Sequence, residues 1–325
     1  MSAALHEESS DASSAFHASG TLLRSFGQIV LQGNAATGAC VLAAWLVSDP
    51  RLACAALTGA IAANVGAVLR GYDCAATRDG LHGFNGALAA LAAFSFIADD
   101  ATAMAVAILA ATAAAWLLGP WARLLQARGL GFYSSPCLLV TWAWLPLVHL
   151  TPAHVTVSDA ASWLGPLHGV LAGIAQTSFA SSALAGALIL GGIALSSKRS
   201  ALFALAGAAI ATVAHGLLGA DSASLAAGLS GFNGALTALA LADCGALAAL
   251  AGVGVSVVLQ QAAVWCGVPA MTAPFVVATW TTRCVMRDTR RKRTIDPTRP
   301  PASAIGKRLE SGHHQTTTRA ASPET

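Results

Sequence analysis

Long apolar runs rich in Ala, Leu, Val and Gly alternate along this chain with short polar breaks. Continuous runs of this kind predict buried or membrane-spanning helices, whereas a membrane β-barrel needs strands of about ten residues with alternating polarity. Ten spans can be drawn. They lie at roughly 35–49, 52–70, 83–98, 101–119 and 134–150, and then at 182–197, 200–219, 229–242, 244–262 and 269–286. Two further stretches, Thr21–Gly33 and Gly165–Phe179, are too short and too polar to be ordinary spans, and are predicted to be re-entrant half-helices. Backbone that stops at mid-membrane is tolerated only where it is buried in protein or lines a cavity.

The pattern is duplicated. Gly-Phe-Asn-Gly-Ala-Leu occurs at Gly83–Leu88 and again, 148 residues later, at Gly231–Leu236. The same register pairs Gln28 with Gln176, Gly59 with Gly207, Gly71 with Gly219 and Asp73 with Asp221. Self-similarity over half a chain marks a repeated structural unit. In a membrane protein, paired halves point to a transport path where they meet.

Charge then orients the spans. Charged residues make up 10% of the chain and hydrophobic ones 55%, against about 25% charged in a soluble domain. Ten spans put both termini on one side. The basic C-terminal segment with Arg283, Arg287 and the run at 290–293 makes that side cytoplasmic by the positive-inside rule. Walking back, 17 of the 18 Lys and Arg residues fall inside and Arg51 alone falls outside. Five spans per repeat is an odd number, so the halves are expected to run in opposite directions. The expected fold is an all-α polytopic membrane protein of two inverted five-span repeats, with ten transmembrane helices plus two re-entrant half-helices.

The expected organisation has five parts. Residues 1–20 form a disordered cytoplasmic tail without a signal-peptide pattern, 21–150 the first transmembrane repeat, and 151–164 an extracytoplasmic connecting loop. Residues 165–287 form the second repeat and 288–325 a disordered basic cytoplasmic tail, read as an orientation signal and lipid contact rather than a nucleic-acid site. The seven cysteines are scattered without a C-x-x-C pattern and read as small buried hydrophobes. No cofactor and no metal is expected. No carboxylate, Lys or Arg lies well inside a drawn span. That favours passive flow of a neutral solute over an ion-coupled carrier, which keeps a buried charge, or a membrane enzyme, which needs a nucleophile–base pair or a metal.

Three doubled features together make the chain resemble the urea transporter family over about residues 20–286. They are the hexapeptide, the glutamine segments Gln28-Ile-Val-Leu31 and Gln176-Thr-Ser-Phe179, and a Thr-x-Pro-Phe signature near each repeat's end. That signature is intact as Thr272-Ala-Pro274-Phe275, followed by Trp280, and altered to Ser134-Ser-Pro136-Cys137, followed by Trp142. The resemblance implies a bacterial inner-membrane protein that passes urea, a homotrimer in the lipid bilayer with one pore per protomer. It implies filter rings at Phe84 and Phe232, wall leucines at Leu88 and Leu236, polar groups at Gln28 and Gln176, and mid-pore hydroxyls at Ser134 and Thr272. A further pore-facing aromatic maps to Phe179 in the second half and to Leu31 in the first, a departure from the family pattern.

The chemistry of these residue types agrees with that expectation. Urea is planar and neutral, and stripping water from an amide without replacing its hydrogen bonds costs roughly 2–7 kcal/mol. A path for it needs donors and acceptors along the molecular plane, which glutamines and hydroxyls supply, and flat apolar walls on the faces, which phenylalanines supply. Other small neutral amides and ammonia share enough of this chemistry to remain alternatives.

Overall fold

The computed structural model describes residues 17–148 and 165–295, and every regular element among them is helical. The predicted connecting loop at 151–164 and the outer parts of both tails lie outside the described residues. Helix α1 covers 17–29 and α2 Ala35–Ser48. They are followed by α3 (Pro50–Leu69), the short α4 (Cys74–Arg78), α5 (Gly83–Phe96), α6 (Asp100–Gln126) and α7 (Ser135–Trp144). The second half runs α8 (Gly165–Gln176), α9 (Ala183–Ser196), α10 (Lys198–Leu217), the short α11 (Ser222–Ala226), α12 (Phe232–Ala240), α13 (Ala246–Trp265) and α14 (Ala273–Ile295).

Local chemistry sets most of these starts. Asn34, Asp99, Ser182, Ser197 and Asp221 each accept a bond from a backbone N–H three residues on, closing the first turns of α2, α6, α9, α10 and α11. Asp49 caps α3, whose first position is Pro50, where the missing N–H costs nothing. The element order repeats between halves. α3 and α10 are each 20 residues long and start 148 residues apart, at Pro50 and Lys198.

Among the described residues, four helices are long and apolar enough to cross a membrane: α3, α6, α10 and α13. They form two repeat-related pairs, and 20 residues rise about 30 Å, the thickness of a hydrocarbon core. The apolar helices α2, α5, α7, α8 and α9 are shorter than a straight span.

The main core is alanine-rich and joins both halves. Trp45 of α2 is fully buried, packs edge-on against Phe26 at 5.0 Å, and donates from its indole to the carbonyl of Ser178 at 2.8 Å. Thr37, also on α2, donates to the carbonyl of Gly192 on α9 at 2.7 Å. Within each half, glycine allows a close helix crossing. A methyl group on Gly59 of α3 would strike the carbonyl oxygen of Gly86 on α5, and one on Gly207 of α10 would strike that of Gly234 on α12.

The ends differ from expectation in two places. The chain is already helical at residue 17, the first described residue, ahead of the predicted start at 21. At the other end α14 continues to Ile295, past the predicted limit of 286 and into the segment expected to be disordered from 288. Arg, Lys and Met are good helix formers, and the charged Arg and Lys favour a helix C-terminus, so polarity alone does not end this helix. A separate small unit begins at Arg283 and includes that last stretch of α14.

Candidate functional site

The turns after α1 and α8 are unusual. Each contains a residue of positive φ, Leu31 at 58° and Phe179 at 64°. Just before α7 and α14, Tyr133 at 46° and Met271 at 45° also have positive φ. These are all the non-glycine residues of positive φ among the described residues, and they form two repeat pairs. A bulky side chain in this left-handed region costs on the order of 1–2 kcal/mol, so the surrounding structure must hold it there.

Asparagines do part of that holding. Fully buried Asn85 on α5 donates from Nδ2 to the carbonyl of Tyr133 at 3.1 Å and accepts at Oδ1 from the amide of Cys137, at 3.1 Å, in the first turn of α7. Asn233 on α12 repeats both bonds, to Met271 at 3.0 Å and from Phe275 at 3.1 Å, and its Nδ2 also reaches Oε1 of Gln260 at 3.0 Å. Each asparagine of the hexapeptide therefore caps a helix other than its own. This explains why Asn stands at that place in both copies, and it has a chemical consequence at the cap position itself. Ser134 makes no capping bond to α7. Its hydroxyl instead meets that of Thr272, 2.8 Å away, and both residues are buried.

Contacts around this hydroxyl pair are reciprocal. Trp142 of the first half donates to the carbonyl of Pro269 in the second at 3.0 Å, and Trp280 of the second donates to the carbonyl of Gly131 in the first at 2.7 Å. Tyr133 packs edge-on against Phe275 at 5.3 Å. The glutamines repeat one another as well. Gln28 donates from Nε2 to the carbonyl of Asp79, and Gln176 to that of Ala227, both at 3.2 Å. Each ties the end of α1 or α8 to the loop before a hexapeptide and keeps its Oε1 as an acceptor.

The sequence-predicted residues separate into two groups. Gln176, Phe179, Phe232 and Thr272 line one cavity of about 840 Å³, together with the segments Val47–Asp49, Phe94–Phe96 and Ala226–Ala227. Asp49 is the one carboxylate among the lining residues, and it caps α3. Phe84 is more enclosed than Phe232. Phe84 is 4% exposed and its ring stacks on Phe132, with centroids 6.0 Å apart and planes 27° apart. Leu88 and Leu236 are buried in two apolar clusters, and Leu31 packs partly buried against both. Sequence reasoning did not single out Phe132, nor Gln260, whose Nε2 holds the carbonyl of Leu229 at 2.7 Å. The signal for Gln260 was the polar pair Gln260-Gln261 inside an apolar run.

An all-helical bundle with four candidate spans, broken apolar helices and neutral polar groups at their ends defines a multi-pass membrane protein. The chain belongs to the urea transporter family, whose model matches residues 20–287. This is a transport family rather than an enzyme family, and urea is the solute it handles. No curated protein sequence matches the chain.

Proposed function

We propose that the chain is a channel-type urea transporter that lets urea pass downhill through a narrow slot where its two halves meet. The observation that carries this reading is the Ser134–Thr272 hydroxyl pair, contributed one from each half and flanked by reciprocal tryptophan bonds. Two hydroxyls bonded to each other still hold one free O–H and several lone pairs, enough to meet both the carbonyl and the amides of urea. In this reading the glutamines Gln28 and Gln176 and the rings Phe84 and Phe232 flank the pair, one of each from either half. Phe179 adds a wall in the second half, Leu31 replaces it in the first, and Leu88 and Leu236 extend the apolar faces one helical turn further. Site after site of modest strength is the arrangement that permits fast conduction.

The same reading gives ten spans in two inverted five-span repeats, 21–150 and 165–287, joined by an outer loop at 151–164, with tails at 1–20 and 288–325. Reciprocal contacts between halves are what a pseudo-twofold axis produces, and they support the inversion. The cavity supports the orientation. It gathers Val47–Asp49, Phe94–Phe96 and Ala226–Ala227, segments that the charge walk assigns to one, extracytoplasmic side. In this reading the protein is a homotrimer in a bacterial inner membrane with both termini cytoplasmic. The exposed apolar side chains along α3, α6 and α10 supply surface for lipid or for neighbouring copies.

The test is stopped-flow uptake into proteoliposomes. Urea should enter in a saturable manner, with the same rate whether or not a proton or sodium gradient is imposed. Collapse of flux on dissipating such a gradient would overturn the channel mechanism, and preference for ammonia or acetamide over urea would shift the substrate.

A further inference from the structure

The two halves of the proposed slot are not built alike, and the difference is localised. Counting from the paired signatures, Ser134 matches Thr272, Pro136 matches Pro274 and Trp142 matches Trp280, an offset of 138 residues. The positive-φ pair Tyr133 and Met271 obeys the same offset. Phe132 therefore corresponds to Ala270. At the half-helix ends Leu31 corresponds to Phe179. Each half thus carries two rings and one smaller side chain, but places them differently: Phe179, Phe232 and Ala270 in one, Leu31, Phe84 and Phe132 in the other. Ala270 leaves Phe232 half-buried, with both lining the cavity. Phe132 covers Phe84, which keeps 4% of its surface.

We infer that Phe132 is the second wall of the first-half end of the slot, in the place left by Leu31, and that it sets the size limit of the permeant. This rests on the channel reading above. A planar guest lying between two parallel rings needs about 7 Å between them, two carbon contacts of ~3.5 Å each. Phe84 and Phe132 stand 6.0 Å apart at their centroids, with planes 27° from parallel. The rings must part by about 1 Å to admit a molecule one atom thick, and further for any group that projects from the plane. Opening a packed pair of rings is easiest for the flattest solute. The first-half end is therefore the tighter filter, and the second-half end, opening on the cavity, is the wider one.

The experiment measures N-methylurea and urea permeability of the full chain in proteoliposomes. Phe132→Ala should raise the ratio of N-methylurea to urea roughly tenfold, the discrimination typical of one methyl group in a close-fitting pocket. Phe132→Leu, which keeps most of the volume, should move it in the same direction by less. Adding Ala270→Phe to the Phe132→Ala variant builds the missing stack at the other end and should restore the wild-type ratio. An unchanged ratio in Phe132→Ala and Phe132→Leu, with urea flux retained and Phe84→Ala raising the ratio, would overturn the inference alone. Absence of urea flux from the wild-type chain would instead overturn the channel reading on which it rests.

Discussion

Replacing Asn85 by alanine tests whether capping from another helix holds the site together. The substitution strips the Tyr133 carbonyl of its donor and the Cys137 amide of its acceptor, both at 3.1 Å, around a side chain that is fully buried. Leaving a buried polar group such as the Cys137 amide unpaired costs about 1–3 kcal/mol, so stability should fall by at least roughly that much. The loss also frees Tyr133, whose φ of 46° is unfavourable for a side chain of its size. Its relaxation would move the neighbouring Ser134 off Thr272. The expected outcome is a lowered unfolding midpoint in detergent together with urea flux that falls further than the amount of folded protein. Asn85→Asp sharpens the test. A protonated Asp can donate to the Tyr133 carbonyl and accept from the Cys137 amide, whereas the carboxylate can only accept. Acid, which favours the protonated form, should therefore raise this variant's unfolding midpoint relative to neutral pH. An Asn85→Ala protein with wild-type midpoint and wild-type flux would refute the reasoning.

Phe84→Ala should loosen size selectivity for substituted ureas more than Phe232→Ala, measured as the permeability ratio to urea, because Phe84 is the more enclosed of the two rings in the proposed slot. Trp142→Phe and Trp280→Phe each remove one indole bond to the opposite half, at about 1 kcal/mol each, and a double-mutant cycle of unfolding midpoints should show coupling between them if both clamp the same interface. Hydrogen bonds to Thr102 and Ser224 hold the carboxyls of Asp99 and Asp221 below the usual carboxylate range. A depressed folded pKa gives stability that is present above the unfolded value and lost as pH falls through the folded one. Thermal stability should thus be flat from neutral pH down to about pH 5 and decline below about pH 4, less steeply in an Asp99→Asn, Asp221→Asn variant.

The helices were largely legible because their ends are written in local chemistry. The predicted span 52–70 corresponds to Pro50–Leu69 and 200–219 to Lys198–Leu217, with Asp49 and Ser197 as caps. The end of α14 was hidden because its basic residues are both membrane-excluding and helix-favouring. α4 and α11, at five residues each, are too short to show a period. At the site, the paired glutamines and hydroxyls were visible as repeats. The role of Asn85 and Asn233 was only half visible, since a cap that acts on a different helix leaves no local spacing to read. Phe132 was missed for a related reason. The repeat register slips from 148 to 138 residues between the hexapeptide and the later signature, so its opposite number Ala270 does not line up with the rest of the duplication.

The asparagine bonds also bear on the order in which the chain is made. Asn85 reaches only Tyr133 and Cys137, about fifty positions downstream, and Asn233 reaches only residues that follow it. Each half can finish its own caps as soon as its last helix leaves the ribosome. The hydroxyl pair and the crossed tryptophans must wait for both halves. Translation thus completes the asparagine caps of the two halves in succession, and the contacts that join the halves form only after the second has been made.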